Sequence, residues 1–531
     1  MLPVIAAILV GALLSYFLIF RRNSGPPLPP GPKPLPLVGN VLDLPPKGVP
    51  EYQHWLTFKD KYGPLSSITI LGQTLIIIQD SKIAHDLLEK NSQKTSGRPY
   101  LLFASKLCGF EMLLPGKQYN TVFRLHRKLI HQQIGTRAVT ERFRDIEDVE
   151  SKRILLRTLA APNDVFEHIK TEASAIILKL TYGYTIEKDI EDPLVSLIEH
   201  MMDNFTKAFI PMKWSVDIFP FLRYLPEAFP GMSWKATARK WHAINRMVIN
   251  TPYEFVLNQM AKGTNQPSFV SAHVAEYQEK GEQIAKSEQD HETAIREAAA
   301  AVYAGGADTT VTALIVFLLA MMKFPHVQKK AQAEIDAAIG GYRFPTFDDR
   351  DKLPYVSALV KELLRWSPVV PVCVTHVTTD EIIYDGYRIP KGSYVLPSIW
   401  WFAHDPKTYS DPLTFDPDRY FAPRNEPDPS SDVFGFGRRI CPGRYIADES
   451  LFLTVSRLLT VFNVNKVLDA QGKEIEPEWV TTPGLISRPH DFPYSIVPRS
   501  DRHKQMIIDI EAEHPWEKSD ADLLKGLEIE H

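Results

Sequence analysis

Cysteine is scarce: 3 residues in 531, at Cys108, Cys373 and Cys441, far apart and with no CxxC spacing. That excludes a disulfide framework and a Cys-rich zinc module. Net charge is small as well, −4 with a pI near 6.5, which excludes the basic surface of a nucleic-acid binder. A complete GxGxxG is missing, so no nicotinamide or flavin domain is fused to this chain. Internal repeats and Gly/Ser-rich linkers are absent between residues 51 and 500. One large body is therefore expected, although a prior of about 150 residues per domain would divide the chain into three or four. With 44% hydrophobic and 23% charged residues, the composition is globular and excludes wholesale disorder.

The two ends differ from the body. Residues 2–20 carry no charge, and 19 residues of helix at about 1.5 Å each span roughly the hydrocarbon core of a bilayer. No Lys or Arg precedes this run, and Arg21 and Arg22 follow it in place of a small-residue cleavage site. It reads as an uncleaved single-pass anchor over 1–22 rather than a signal peptide, with the rest of the chain held in the cytosol. Residues 23–50 are dense in proline, from Pro26 and Pro27 to Pro34 and Pro36, and predict a stiff extended hinge rather than a signalling-domain ligand. Residues 501–531 carry nine acids against four bases and read as a solvated acidic tail.

In the body, 51–500, apolar periodicity predicts helices over 139–160, 171–181, 292–323 and 353–365. Short β-type runs at 65–70, 74–78, 382–389 and 394–399 are bounded by Gly, Pro or Asp. The expected class is mainly α with small β-sheets.

The most informative stretch is 434–443, Phe-Gly-Phe-Gly-Arg-Arg-Ile-Cys-Pro-Gly. Cys441 lies among three glycines, after Arg438 and Arg439, and before an apolar run at 445–459 of helical character. Glycines allow a flat ligand close to the backbone, and nearby cations with a helix N-terminus favour the thiolate. A lone thiolate suits an iron already held by four ring nitrogens; the competing reading is a small buried hydrophobe. A dinucleotide loop fails, because Ile440 stands where a third glycine belongs.

Phe434, Gly437, Arg439, Cys441 and Gly443 reproduce the FxxGxRxCxG signature, and the chain resembles the cytochrome P450 family over residues 26–500. The resemblance implies the family's fold and haem b (iron protoporphyrin IX), with Cys441 as axial thiolate ligand of the iron.

Residues 298–310 place Gly305, Gly306, Asp308, Thr309 and Thr310 inside a helical pattern. Two glycines there cost about 1 kcal/mol each. A kinked core helix is one reading, while a second membrane span is disfavoured because Asp308 at its centre would cost about 2.5–3.5 kcal/mol. The segment resembles the family's (A/G)Gx(D/E)T(T/S) motif. That resemblance implies room for dioxygen beside a locally opened helix, a Thr309 hydroxyl that holds water, and proton relay by Asp308. Glu362 and Arg365, three apart on one helix face, are by default a surface ion pair. In the family they are the ExxR pair, joined by an arginine that corresponds to Arg419 in a structural network. Burying two haem propionates demands cations, and the resemblance implies Arg127, His376 and Arg439. Arg127 falls in a WxxxR-like helix in which Phe123 replaces Trp, so an indole N–H is lost; Arg124 and His126 are neighbouring candidates to compensate.

The segments that line the family's pocket read here as 101–114, 202–210, 300–309, 369–374 and 482–486. They are mostly aliphatic or aromatic, Phe103 and Phe205 among them, which favours a lipophilic small-molecule substrate. Aromatics from Trp214 to Phe229 suggest a second shallow membrane contact or, equally, a buried loop. The resemblance further implies dioxygen as co-substrate and electrons from NADPH through a separate NADPH–cytochrome P450 reductase, with Arg438 and Arg444 as contacts. It places the enzyme in the endoplasmic reticulum membrane. The segment 216–226 resembles fungal, particularly basidiomycete, monooxygenases of secondary metabolism, such as terpenoid or polyketide biosynthesis. The alternatives are a reductase-independent haem-thiolate isomerase or dehydratase, which the presence of Asp308 and Thr309 disfavours, and a catalytically inactive membrane-tethered binding protein.

Overall fold

The computed structural model describes residues 25–188, 191–210, 213–284 and 288–524; the anchor expected over 1–22 lies outside them. The elements that position the site are, in chain order, α1 (Glu51–Tyr62), β1 (Leu65–Ile70), β2 (Gln73–Ile78), α2 (Thr121–Ile134), α3 (Arg144–Ala160), α4 (Val165–Tyr182), α5 (Pro193–Ala208), α6 (Trp234–Lys262), α7 (Glu288–Lys323), α8 (Pro354–Trp366), β3 (His376–Val377), β4 (Ile382–Tyr384), β5 (Tyr387–Ile389), β6 (Tyr394–Pro397), α9 (Arg444–Val461), β7 (Phe462–Asn465), β8 (Ser495–Pro498) and α10 (Asp501–Glu513). The chain is mainly helical with small sheets, as expected. Its described residues divide into one unit of 25–99, Val372–Phe402 and Phe436–Arg439, and a second that takes the described residues of 100–371, Ala403–Gly435 and 440–524.

The first unit is built on a sheet of order β1-β2-β6-β3. Leu71 and Gly72, at φ 48° and 87°, form the two-residue turn that pairs β1 antiparallel to β2, with Leu65 opposite Ile78. Alternate residues of a two-sided sheet would show polar breaks, but Ile76, Ile77 and Ile78 are all fully buried, so β2 is covered on both faces. The expected run at 382–389 is a hairpin, β4 and β5, turned by Asp385-Gly386. The run at 394–399 stops at Pro397, and Ile399 opens a short helix.

The proline-rich segment departs from a free spacer over 29–40. Ser67 of β1 donates from its backbone N to Pro30 O at 2.8 Å and from Oγ to Pro29 O at 2.7 Å. Asn40 exchanges bonds with Thr69, N to O at 2.7 Å and Oδ1 from N at 2.9 Å. These residues cover the open edge of β1, which would otherwise present unpaired amides. A Cβ at Gly31 would lie 1.9 Å from Ser67 O, so only glycine permits that approach.

In the second unit the 36-residue α7 is the central helix. Its stretch His291–Lys323 is, among the described residues, the one helix long and apolar enough to cross a membrane, yet it is 67% buried. Residues from Ala313 to Met322 are buried on every side of the helix, which marks a core helix packed all round. The helix expected at 139–160 begins instead with a short helix at Arg137–Thr140 and a 3-10 turn at Glu141–Phe143, and α3 proper starts at Arg144. α4 is longer than the expected 171–181, and Gly183 at φ 67° closes its C-terminus.

Residues 501–524 differ from the solvated appendage that their charge suggests. Ile507 and Ile510 of α10 are fully buried, and Leu524 belongs to the core. Trp516 lies under the guanidinium groups of Arg153 and Arg157, 5.0 and 5.1 Å from its ring centre. Glu517 pairs with Lys179 at 2.6 Å. Glu517 thus faces cations of both α3 and α4, Arg153 at 3.7 Å and Lys179, which a charge count along the tail does not register.

Behind α9, helices α3, α4 and α9 bring together Glu147, Glu172 and Glu449, all buried. Ser450 donates to Glu147, and Thr454 donates to Glu172. Burial pushes both Glu147 and Glu172 from 4.5 up to about 8, against those hydrogen bonds. Below the unfolded value both states are protonated and nothing is lost. Above it the unfolded chain releases its proton while the native chain does not, so stability falls as pH rises from 4.5 to about 8. Glu172→Gln is expected to flatten that slope: its melting midpoint should exceed the parent's near pH ~8 and match it near pH ~5. Parallel melts at the two pH values check this, and equal midpoints throughout would contradict it.

Candidate active site

The 434–443 loop is shaped by its own backbone. In the second unit Cys441 N donates to Phe434 O at 2.8 Å, and Gly435, at φ 76°, donates to Asp432 O at 3.0 Å. Gly443 is the N-cap of α9, which places Cys441 at that helix's positive end. Arg127 Nη1 of α2 donates to Ile440 O at 2.8 Å, and Arg444 Nη1 to Cys441 O at 3.2 Å. Burial pushes the Cys441 thiol up, while the Gly443 N–H and the charges of Arg127 and Arg444 pull it back. Cys108 has no such relief: burial, then Asp217, pushes it up to about 12. Cys373, also raised by burial, lies in a loop at φ 57°. Of the three, Cys441 alone combines a helix N-terminus with two arginines, the setting that favours a thiolate ligand.

In the first unit Gly437 sits at φ 52°, and a Cβ there would come within 2.5 Å of Leu88 O, so glycine is obligatory. Arg439 donates from Nε and Nη2 to Ser96 O at 2.9 and 2.7 Å. Nearby, Arg98 donates to Val374 O and Thr375 O at 2.8 and 2.9 Å. His376 donates from Nδ1 to Thr95 O at 2.8 Å, and its Nε2 is buried with no hydrogen-bond partner among the described residues. Burial and the charges of Arg98 and Arg439 hold this imidazole well below its usual value. Two guanidiniums and an orphaned ring nitrogen, gathered inside the protein, suit a carboxylate such as a haem propionate, because an anion there would let Nε2 carry a proton and donate it. Arg98 escaped the sequence reading; its signal was an arginine between Gly97 and Pro99, in a segment that packs back on β3.

Phe123 is buried against Tyr119, with ring centres 5.5 Å apart, and offers no donor. Neither expected substitute stands in for it. Arg124 is exposed. His126 is fully buried and turned toward Glu297 of α7, 3.5 Å away, where burial and Lys117 hold it down to about 3.

Along α7 the helix is continuous rather than opened at Gly305 and Gly306. Thr309 Oγ1 donates back to Gly305 O at 2.8 Å. A Cβ at Gly306 would meet Ile177 of α4 at 2.7 Å, so this glycine serves helix packing, whereas one at Gly305 or Gly443 would meet nothing within 4 Å. The protein's own packing does not require glycine at those two positions. Burial raises the Asp308 carboxyl, opposed by Arg488 and Lys170; Arg488 Nη1 lies 3.9 Å from its Oδ1.

The Glu362–Arg365 pair is no surface feature: both side chains are fully buried, with Arg365 Nη2 and Nε on the carboxylate at 2.7 and 2.8 Å. Arg419 Nε adds a bond at 2.9 Å, Asp416 N one at 2.9 Å and Tyr420 OH one at 3.0 Å. Arg419 also pairs with Glu426 at 2.6 Å. Burial alone would lower Arg419, but Glu362 and Glu426 together raise it. Tyr420 and Glu426 complete a network of which the sequence revealed three members.

Phe103, expected at the pocket wall, is instead fully buried in a cage of Trp214, Trp234 and Trp241, stacked on Trp214 at 3.7 Å. Phe219, Phe221, Tyr224 and Phe229 are exposed, which excludes the buried-loop reading for them.

The family model described as Cytochrome P450 matches residues 29–492. Over 522 residues, 98% of each chain, the sequence is 51% identical to Cytochrome P450 monooxygenase CLM2 of Gibberella zeae. It is 49% identical to the Multifunctional cytochrome P450 monooxygenase af510 of Aspergillus fumigatus, over 96% of this chain and 95% of the relative. An O-methylsterigmatocystin oxidoreductase of Aspergillus flavus is 38% identical over 97% of this chain and 96% of its own. The likeness is to fungal members at large rather than to one fungal group.

Proposed function

From the premise that this chain belongs to the cytochrome P450 family and is a haem-thiolate monooxygenase that uses dioxygen, we propose that it oxidises a lipophilic small molecule of fungal secondary metabolism, with Cys441 as the axial ligand. Bound haem supplies the oxidising chemistry, to which the thiolate contributes electron density that favours O–O cleavage. The observation that carries the reading is Cys441 at the N-terminus of α9 with Arg127 and Arg444 beside it.

The remaining roles follow from the chemistry of each side chain. Arg127, His376, Arg439 and Arg98 hold the propionates, while Phe434, Gly437 and Gly443 shape the thiolate loop. Glu362, Arg365 and Arg419 brace that loop from within the second unit. Asp308, with a side chain 25% exposed, takes protons from water, and Thr309 passes them inward by releasing its bond to Gly305 O. A relative whose name is an O-methylsterigmatocystin oxidoreductase supports a substrate of low polarity. Electrons come from NADPH through a separate membrane-bound reductase, with Arg438 and Arg444 as contacts. The uncharged run at 2–20 and the arginines after it support a single-pass anchor over 1–22 in the endoplasmic reticulum membrane, a hinge over 23–50 and a catalytic body over 51–500 that faces the cytosol, followed by the acidic segment 501–531.

Expression with NADPH–cytochrome P450 reductase, followed by untargeted metabolite comparison against Thr309→Ala, tests the reading. The variant should keep its haem absorption while product falls about tenfold or more and hydrogen peroxide rises to match. Unchanged product with unchanged peroxide would remove Thr309 from proton delivery.

A further inference from the structure

The C-terminal segment closes over a cavity of about 210 Å³ in the second unit, bounded by α3, α4, the loop at 184–188 and the pair Trp516 and Glu517. Ile146, Val149, Ala175 and Ile186 give it an apolar wall, and most of its charged groups are taken up by one another. Arg153 holds Glu150 at 2.6 Å, and Lys179 holds Glu517 at 2.6 Å. Lys188 lies over Trp516, 4.6 Å from its ring centre, and Asp145 is exposed. Arg157 is the exception. Its side chain is nine-tenths buried, yet Nε and Nη1 have no hydrogen-bond partner among the described residues. Glu150 Oε2 stands 3.6 Å from Nη1, beyond hydrogen-bond reach, and is itself unpartnered. Glu172 also acts on Arg157, but burial pushes that carboxyl up to about 8, so it is largely uncharged at neutral pH. Burial pulls the Arg157 guanidinium below its usual value against the charge of Glu150, as expected of a cation whose lost water has not been replaced. The cavity far exceeds the ~10–15 Å³ that admits one water, and its lining carries one more base than acid.

We propose that this cavity is a binding site for a ring-sized organic monocarboxylate, whose carboxylate pairs with Arg157 and whose apolar body lies against Ile146, Val149, Ala175 and Ile186. A single negative charge matches the single surplus cation. A dianion such as phosphate would meet Glu150 and Glu517 across a small space, and a neutral hydrocarbon would leave the guanidinium unpaired. The carboxylate supplies the charge-assisted acceptors that Nε and Nη1 lack, while the apolar wall gains cover from water. Because Trp516 and Glu517 form one side of the cavity, the bound acid also ties the C-terminal segment to α3 and α4. The lining includes no residue of the 434–443 loop or of α7, so occupancy and turnover are read separately.

The test titrates the haem-loaded full-length enzyme with benzoate, and with benzamide as its uncharged counterpart, at constant ionic strength, by calorimetry and by thermal melting. Benzoate should bind at one site and raise the melting midpoint by about 2 °C or more at saturation, with the haem absorption unchanged. Benzamide should do neither. Arg157→Gln should weaken benzoate binding about tenfold or more, the worth of a hydrogen bond to a charged group. Should that variant not purify, Ala175→Leu fills the cavity from α4, leaves every charge in place and should abolish the binding. Binding of benzoate that comes only with a shift of the haem absorption puts the ligand over the haem and overturns the proposal. So does equal binding in the parent and in Arg157→Gln or Ala175→Leu, equal affinity for benzamide, or no binding of benzoate up to about 10 mM.

Discussion

Cys441→Ser is expected to yield a folded protein without thiolate-ligated haem and without detectable oxygenation. Serine matches cysteine closely in shape, and the backbone bond from position 441 to Phe434 O does not involve the side chain, so the loop keeps its course. A hydroxyl, however, is a far weaker acid than a thiol, and at Cys441 the Gly443 N–H, Arg127 and Arg444 oppose the burial that pushes the thiol up. The measurement is the absorption spectrum of the reduced, carbon-monoxide-treated protein. The long-wavelength band of a thiolate-ligated haem should be present in the parent and absent in the variant, and equal bands in both would remove Cys441 as ligand. Cys108→Ser and Cys373→Ser serve as controls that should keep the band.

Glu362→Ala is expected to cost about 3–5 kcal/mol, because it strands the fully buried Arg365 guanidinium and removes one of the two carboxylates that pair with Arg419. In the parent one carboxylate accepts from Arg365, Arg419, Asp416 N and Tyr420 OH at once. Without it Arg365 retains its carbonyl acceptors, Ala403 and Pro412 at 2.8 Å, but no buried opposite charge, while Arg419 keeps Glu426. Against a typical total stability of about 5–15 kcal/mol such a loss removes between about a fifth and all of the margin. Chemical denaturation of whatever purifies, with soluble yield and haem content, checks the outcome. Glu362→Gln retains the shape and isolates the charge; a midpoint equal to the parent's in that variant would show that the network's worth lies in hydrogen bonds alone.

These two expectations mark how far reading along the chain could go. Cys441 and its flanking glycines lie within ten positions, so the family's signature and the helix after it were both legible along the chain. Gly305, Gly306, Asp308 and Thr309 lie on one helical turn and its neighbour, and were legible for the same reason. Glu362 and Arg365 were visible as an i, i+3 pair, but their burial was not, since the same spacing serves a solvated helix face equally well. Tyr420 and Glu426 were missed because each reaches the network only when the 416–426 turn folds under α8.

Other readings shifted when distant segments met. Phe103 looked like pocket wall until three tryptophans from 214–241 enclosed it. His126 looked like a stand-in for the missing indole until α7 placed Glu297 against it.

What the sequence by itself determined is a mainly helical body and two local motifs, a glycine-flanked cysteine ahead of a helix and an acid–alcohol pair within one, each written in residues close enough along the chain for local geometry to bring them together. What only the tertiary structure decided is how that chemistry is served: Arg98 beside His376, Arg488 against Asp308, and the acidic C-terminal segment clasped by α3 and α4 instead of free in water. Those partners lie tens to hundreds of positions apart, and no periodicity or spacing records a contact that exists only once helices pack and exclude water between them.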